Sequence, residues 1–425
     1  DAGDHACLEP GAARVAASRP AQVNLSALAY ALRRFDAAAA HARDALRLRR
    51  GDIDATINLA AADWRLGRQR DAALALSRVL AARPGHALAA QNYARMFHRI
   101  GRFADARQVL ERALAAGARE PQLHLDLCSV HCRLGGVDAA RVQALLALEG
   151  VVVGDGHGSL SPLPDGRDKA SRRMPSAEDW LATVIECARR LEPLDVGYCF
   201  TGGLARMFAL QGDLEGTRKD VDIAVDGNSP LPEIEAAFAE GFRRYTRPGQ
   251  EIAGGAGERA IGLVHEATGI PVDLFFQERT EQQWRGVFGA PDWITVEYPA
   301  FAIRAHECPG MPVPLRLPEP LEEHVRLSYG DEWREEFLLA RGERIPRAHA
   351  LPWLRFPALA MASYPLAFVR GLQGLASLLA QRDLARARSA CLQLLAREEL
   401  PELQSALDWI ERARHAGDPM PEVAA

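Results

Sequence analysis

The stretch Lys219–Asp226, KDVDIAVD, decides how the chain is read. It alternates like a buried strand, yet it carries two carboxylates two residues apart. Residues i and i+2 of an extended strand point to the same side. Asp220 and Asp222 therefore crowd one surface, and their repulsion calls for a partner, most simply a divalent cation. Asp226 stands past the strand, before Gly227-Asn228, and reads as a turn residue.

Upstream, VGYCFTGGLARMFAL gives a short strand, Val196 to Phe200, then Thr201-Gly202-Gly203, then a helix from about Leu204. Two glycines between strand and helix let backbone N–H groups approach a phosphate at the positive end of the helix. Downstream, RAIGLVHEATGIPVDLFF alternates as two strands around a turn at Ala267–Ile270. Asp273 lies in the second, between Val272 and Leu274. A carboxylate among apolar neighbours needs a cation or hydrogen-bond donors, because burying it alone costs several kcal/mol.

Strand, Gly-Gly, helix, Asp-x-Asp strand and a further strand with a third Asp resembles the nucleotidyltransferase superfamily. Over about residues 180–340 the chain is similar to the LicD/fukutin branch, through TGGLARMFALQGD, RKDVDIAVD, GIPVDLFF and RLSYGDEW. The resemblance implies that Asp220, Asp222 and Asp273 hold the metal and that Gly202 and Gly203 form the phosphate-approach turn. Tyr329, Gly330 and Trp333 would be the closing motif on the base or acceptor side, or else an aromatic pair that simply packs. It further implies transfer of a phospho-alcohol, such as phosphocholine or an alditol phosphate, from a CDP-linked donor to a glycan hydroxyl, with CMP leaving. Lys219 stands where many members carry an acid. The stretch GTRKD also resembles adenylyltransferase-like branches, in which an NTP is the donor, a small molecule or protein accepts, and pyrophosphate leaves. A third reading is a non-catalytic adaptor whose transferase domain only binds nucleotide.

Phosphoryl chemistry asks the protein mainly for positioning and charge neutralisation. Carboxylate and phosphate oxygens favour hard cations, so Mg²⁺ or Mn²⁺ is expected rather than Zn²⁺. Arg206, Arg218 and Lys219 are the candidate phosphate contacts. The base is an Asp of the cluster or His265, which lies on the strand before the turn to Asp273. The loop Gly227–Gly257 is the candidate lid.

The N-terminal part has a different grammar. Gly67, Gly101 and Gly135 recur every 34 residues, with Arg33 in the same phase one repeat earlier. Ala38, Ala72, Ala106 and Ala140 follow five residues after each. Segments such as GRFADARQVLERAL read as a turn glycine and an amphipathic helix with small residues at crossings. This period and pattern resemble the tetratricopeptide (TPR) repeat. Such an array stacks one-dimensionally and offers a surface for self-association or a groove for a protein partner. His124, Cys128 and Cys132 fall on one helix face, either as metal ligands or with Cys128 as a small packing residue.

The expected architecture is multidomain. An irregular stretch (1–19) precedes an all-α TPR solenoid (20–150) and a Gly/Pro/Ser-rich linker (151–175). A central α/β (α+β) nucleotidyltransferase fold with a small mixed sheet (176–345) and a helical C-terminal segment (351–417) follow. The chain has 425 residues and a formal net charge of −5, which argues against a nucleic-acid surface. Its only lysines are Lys169 and Lys219. No apolar run reaches the ~20 residues of a membrane span. Seven scattered cysteines favour a reducing compartment, hence cytoplasm, with peripheral attachment to the inner membrane face as a variant. The first residue is Asp1, the mark of a trimmed chain or partial reading frame, so the lack of a leader decides nothing.

Overall fold

The structure is a computed structural model, and it describes residues 18–153, 174–244, 260–288, 294–351, 354 and 364–417. The expected irregular N-terminus, most of the linker and the GQEIAGGAGER part of the candidate lid lie outside the described residues. The chain divides into two compact units, Asp1–Leu160 and Ser161–Ala425.

The first unit is four helical hairpins: α1 (Arg19–Ala31) with α2 (Phe35–Leu48), α3 (Ile53–Arg65) with α4 (Gln69–Ala82), α5 (Ala87–Arg99) with α6 (Phe103–Ala115), and α7 (Pro121–Arg133) with α8 (Val137–Val153). First helices start at 19, 53, 87 and 121, second helices at 35, 69, 103 and 137, each set stepping by 34. Ala38, Ala72, Ala106 and Ala140 are all buried, where a larger side chain would hold neighbouring helices apart. The turns between paired helices need a left-handed residue, and Gly67, Gly101 and Gly135 adopt φ of 83°, 76° and 76°. Arg33 fills the same position in the first repeat with φ of 61°. The unit is therefore a TPR-like array.

The second unit opens with α9 (Ala177–Leu191). Ser176 caps it, its Oγ accepting from Asp179 N at 3.0 Å and donating to Asp179 Oδ2 at 2.7 Å, so Asp takes the place of the usual Glu in the capping box. Next come β1 (Tyr198–Phe200), α10 (Gly202–Gln211), β2 (Val221–Asp226), α11 (Leu231–Ala237), β3 (Phe242–Arg244), β4 (Ala260–His265), β5 (Pro271–Arg279), β6 (Gln283–Phe288) and β7 (Ile294–Pro299). These strands form one seven-stranded sheet, ordered β1-β2-β5-β4-β3, which β6 and β7 extend from the far end of β5. Only β2 and β5 run parallel among its neighbours. The sheet is mixed, as expected, but larger than the small one expected. Its β6–β7 extension was missed.

Val221, Ile223 and Val225 of β2, with Val272, Leu274 and Phe276 of β5, face a core shared with Trp180, Val184 and Leu191 of α9 and Leu204 and Met207 of α10. A second apolar cluster, including Cys199, Ala224, Trp284, Val296 and Tyr298, gathers residues of the opposite strand parity. Strands β8 (Ala302–His306) and β9 (Leu315–Glu319) pair, and α12 (Leu321–Tyr329) follows. A hairpin of β10 (Phe337–Ala340) and β11 (Glu343–Pro346) then leads to α13 (Tyr364–Ala380), α14 (Leu384–Leu395) and α15 (Pro401–Gly417). The C-terminal helices join the hairpin through Ala340, Ile345 and Leu392. Arg388 ties them further, its guanidinium donating to Glu343 Oε1 at 2.9 Å and to Glu411 Oε1 at 2.5 Å.

Candidate metal centre

The parallel pairing of β2 with β5 sets Asp222 directly beside Asp273. The neighbours Val221, Ile223, Val272 and Leu274 are buried in the core, so strand alternation sends both carboxylates to the other face. Asp220, two residues before Asp222, joins them. Each of the three half-buried residues offers a carboxylate oxygen, and these oxygens all lie within 4.8 Å of one another. Two unit charges at that separation repel by about 1 kcal/mol in water and ~3 kcal/mol at an effective dielectric of ~20. Three hard oxygen donors at this spacing suit a hard divalent cation.

The Gly-Gly pair lies against this cluster. Thr201 N donates to Asp222 O at 2.9 Å, fixing the end of β1 beside the strand that carries the aspartates. Both glycines belong to the first turn of α10, which begins earlier than the sequence suggested, with Thr201 at its N-cap. Gly202 has φ of 60°, and a Cβ on it would meet Asp222 Oδ2 at 2.1 Å. No side chain fits there while Asp222 keeps its place. Gly203 is close-packed too: a Cβ would lie 3.2 Å from Arg218 Cδ. Backbone and carboxylate thus meet at the N-terminal end of α10, where the helix dipole favours anions.

The three candidate cations differ in placement. Lys219 is exposed next to Asp220. Arg218 is half-buried beside Gly203, donating from Nη1 to Thr217 O at 2.9 Å. Burial, and then the neighbouring Arg206 charge, lower its pKa from the usual arginine value, as expected of a cation in a positively charged setting. Arg206 is otherwise engaged. Its guanidinium donates to Trp333 O at 2.7 Å, Glu335 O at 3.1 Å and Glu336 Oε1 at 2.9 Å, and it is 7% exposed. That geometry makes it a strut between α10 and the segment after α12, in place of the phosphate contact expected of it.

The same segment contains the expected closing motif. Gly330 ends α12 with φ of 86°. Trp333 is 2% exposed within the core, and the Arg334 guanidinium lies over its ring, 4.0 Å from the ring centre, so the ring packs. Half-buried Tyr329 lies under the Arg206 and Arg347 guanidinium groups, each 5.9 Å from its ring centre. Arg347, which sequence reasoning missed, holds this segment by donating to Glu335 O at 2.9 Å, Phe337 O at 3.2 Å and Tyr329 O at 3.3 Å. No local signal could have revealed it in an arginine-rich chain.

His265 is not brought to the carboxylates. Gly262 is the β4 residue opposite Asp273, and His265 is three residues further on, an odd step that puts it on the other face. There it pairs with buried Phe242, its ring centre 4.9 Å away. Its Nδ1 meets Thr268 Oγ1 at 2.8 Å and Thr183 Oγ1 of α9 at 3.2 Å. Burial, the largest influence, lowers its pKa. Asp226 does not stand past the strand as expected: it is the last residue of β2, in register with Gln277, and its Oδ1 accepts from Asn228 N of the following turn at 2.9 Å. Sequence reasoning also missed Trp180, whose indole Nε1 donates to Asp220 O at 3.2 Å.

In the repeat unit, His124 Nδ1 meets Gln143 Oε1 at 2.7 Å and Cys128 is fully buried. Among the described residues, the aspartate trio is the one group of His, Cys, Asp and Glu side chains placed to share an ion, so the alternative of ligation by His124, Cys128 and Cys132 finds no support. No described helix is long and apolar enough to cross a membrane.

No protein-family profile matches the chain, and no curated protein matches it. Two solved structures are similar to part of it. A thermophilic TPR protein of Thermus thermophilus, TTC0263, is 25% identical over 31% of this chain and 74% of its own, with a TM-score of 0.29. The MamA protein is 16% identical over 32% of this chain and 79% of its own, with a TM-score of 0.26.

Proposed function

We propose that the second unit is a metal-dependent transferase of phosphorus-containing groups and that the TPR-like array serves protein interaction. The observation that carries the reading is the register pairing of Asp222 with Asp273, with Asp220 alongside and Gly202 in van der Waals conflict with anything larger at the same spot. An acidic cluster alone is common on protein surfaces. A glycine whose missing Cβ makes room for one of those carboxylates, at the start of a helix, is not.

Asp220, Asp222 and Asp273 would hold Mg²⁺ or Mn²⁺, and when bound the ion supplies charge neutralisation to the donor phosphates and to the leaving oxygen. The chain's own residues do the rest. The first turn of α10 presents backbone N–H groups toward the donor phosphate. Arg218 and Lys219 supply positive charge to oxygens that the carboxylates would otherwise repel. With His265 on the far face, an aspartate of the cluster would take the acceptor hydroxyl proton.

The finer form of the proposal is LicD-type transfer of a phospho-alcohol from a CDP-linked donor to a glycan hydroxyl. Lys219, placed directly before Asp220 where that pattern often has an acid, keeps an NTP-dependent nucleotidyl transfer as the second reading. Incubating the full chain and Asp222→Ala with Mg²⁺, CDP-alcohols or NTPs, and candidate acceptors separates them. CMP release that Asp222→Ala abolishes is the expected result, and pyrophosphate in its place selects the second reading. If Mn²⁺ fails to bind, neither stands, and the non-catalytic adaptor is what remains.

A further inference from the structure

We propose that Trp180 is a positioning residue for the carboxylate centre, holding Asp220 through an indole-to-backbone hydrogen bond; the proposal rests on the metal-binding reading above. The three aspartates are held by different parts of the fold. Asp222 and Asp273 are locked by their ladder pairing within β2 and β5. Asp220 precedes Val221, the first residue of β2, and lies outside that register. Its carbonyl instead accepts the Trp180 Nε1–H at 3.2 Å.

The donor is itself packed on all sides. Trp180 is fully buried in the first turns of α9 and packs in the same core as Val184, Cys187, Leu191 and Val221. The Ser176 cap fixes where that helix starts. A buried indole N–H requires an acceptor, so the ring and the Asp220 peptide plane orient each other. The peptide plane in turn sets the direction in which the Asp220 side chain leaves the backbone. Ligand distances at a well-formed metal site fall within ~0.2 Å of their usual values, so a small rotation of this peptide draws the third ligand off that geometry while leaving the strand paired. Outer partners of this kind typically alter metal affinity by about 10–100-fold.

The test uses the full chain and Mn²⁺ alone, followed by electron paramagnetic resonance, with urea unfolding as the control for stability. Trp180→Phe keeps an aromatic ring and removes the donor. The expected result is Mn²⁺ binding weakened about 10-fold, with an altered spectrum for the bound ion, in a protein that still unfolds cooperatively in urea at a midpoint lowered by the smaller ring at a fully buried position. Trp409→Phe, at a buried tryptophan of α15, binds as wild type does. Should Trp180→Phe not fold, a benzothienylalanine at position 180, with sulfur replacing the N–H in a ring of the same shape, decides the matter. Wild-type affinity and spectrum in the donor-less variants overturn the proposal and leave the metal reading standing. A wild type that does not bind Mn²⁺ overturns the metal reading, and this proposal with it.

Discussion

Gly202→Ala is the sharpest perturbation of the centre, because two separate costs can be worked out. The first is conformational. Gly202 has φ of 60°, and an L-residue there costs about 1–2 kcal/mol. The second is steric. The new Cβ would lie 2.1 Å from Asp222 Oδ2, against a normal C···O approach near ~3.4 Å, so the carboxylate must retreat by about 1.3 Å. A ligand moved that far no longer serves an ion shared with Asp220 and Asp273. Gly212→Ala isolates the first cost, because Gly212 has φ of 79° and a Cβ added there meets nothing within 4 Å. Mn²⁺ titration should show affinity falling at least ~100-fold in Gly202→Ala and unchanged in Gly212→Ala. Urea unfolding should show Gly212→Ala losing about 1 kcal/mol and Gly202→Ala more. Adding Gly202→Ala to Asp222→Ala should cost less than adding it to wild type, since the carboxylate is gone and only the close Cβ approach of 3.0 Å and the backbone cost remain. Equal Mn²⁺ affinity in wild type and Gly202→Ala would refute the reasoning.

The remaining predictions concern strain, protonation and face. Arg33 holds φ of 61° where the later repeats have Gly67, Gly101 and Gly135, so Arg33→Gly should raise the stability of the array by about 1 kcal/mol; a lowered urea midpoint would contradict this. His324 is buried against Tyr298 and Phe301, and burial, then the Arg279 charge, bring its pKa from 6.5 to about 4. The unfolded ring therefore binds a proton below pH 6.5 while the folded ring stays neutral down to about 4, so its contribution is present above 6.5 and lost as pH falls through that window. A displacement of that size is worth at most ~3 kcal/mol, and His324→Leu should flatten the pH–stability curve by about that amount. A curve as steep as wild type between those limits would show that other groups set it. His265→Asn should leave Mn²⁺ affinity within about twofold of wild type, since the ring lies on the opposite face from the carboxylates; a tenfold loss would mean that the face assignment is wrong.

What the sequence disclosed and what it hid divide along a physical line. The repeat was legible because each 34-residue hairpin obeys the same packing rule, so Ala38, Ala72, Ala106 and Ala140 recur at one phase. Asp220 and Asp222 were legible because strand alternation is local: two residues apart means one face. Asp273 joined them on chemistry alone, and the structure supplies the parallel register that sequence could not. Trp180, Arg206 and Arg347 were hidden or misread for the opposite reason. Trp180 meets Asp220 across 40 positions and Arg206 meets Trp333 across 127, separations at which nothing local signals contact.

His265 shows how narrow the margin is between a legible residue and a misread one. Its distance from Asp273 in sequence says nothing about face until the hairpin register is known. His265 N donates to Ile270 O at 2.9 Å and Gly269 N to His265 O at 2.7 Å, and that turn pairs Val264 with Pro271 and Gly262 with Asp273. One residue more or fewer in the turn would shift β4 by one step and reverse every side chain on it. His265 would then stand on the carboxylate face, and Ile261 and Leu263, now 2% and 4% exposed in the core, would leave it. Burial of those two side chains favours the observed register by about 1.5–3 kcal/mol each. The hydrophobic core therefore decides which face of the sheet a titratable ring occupies, and it keeps the His265 ring off the face that carries the three carboxylates.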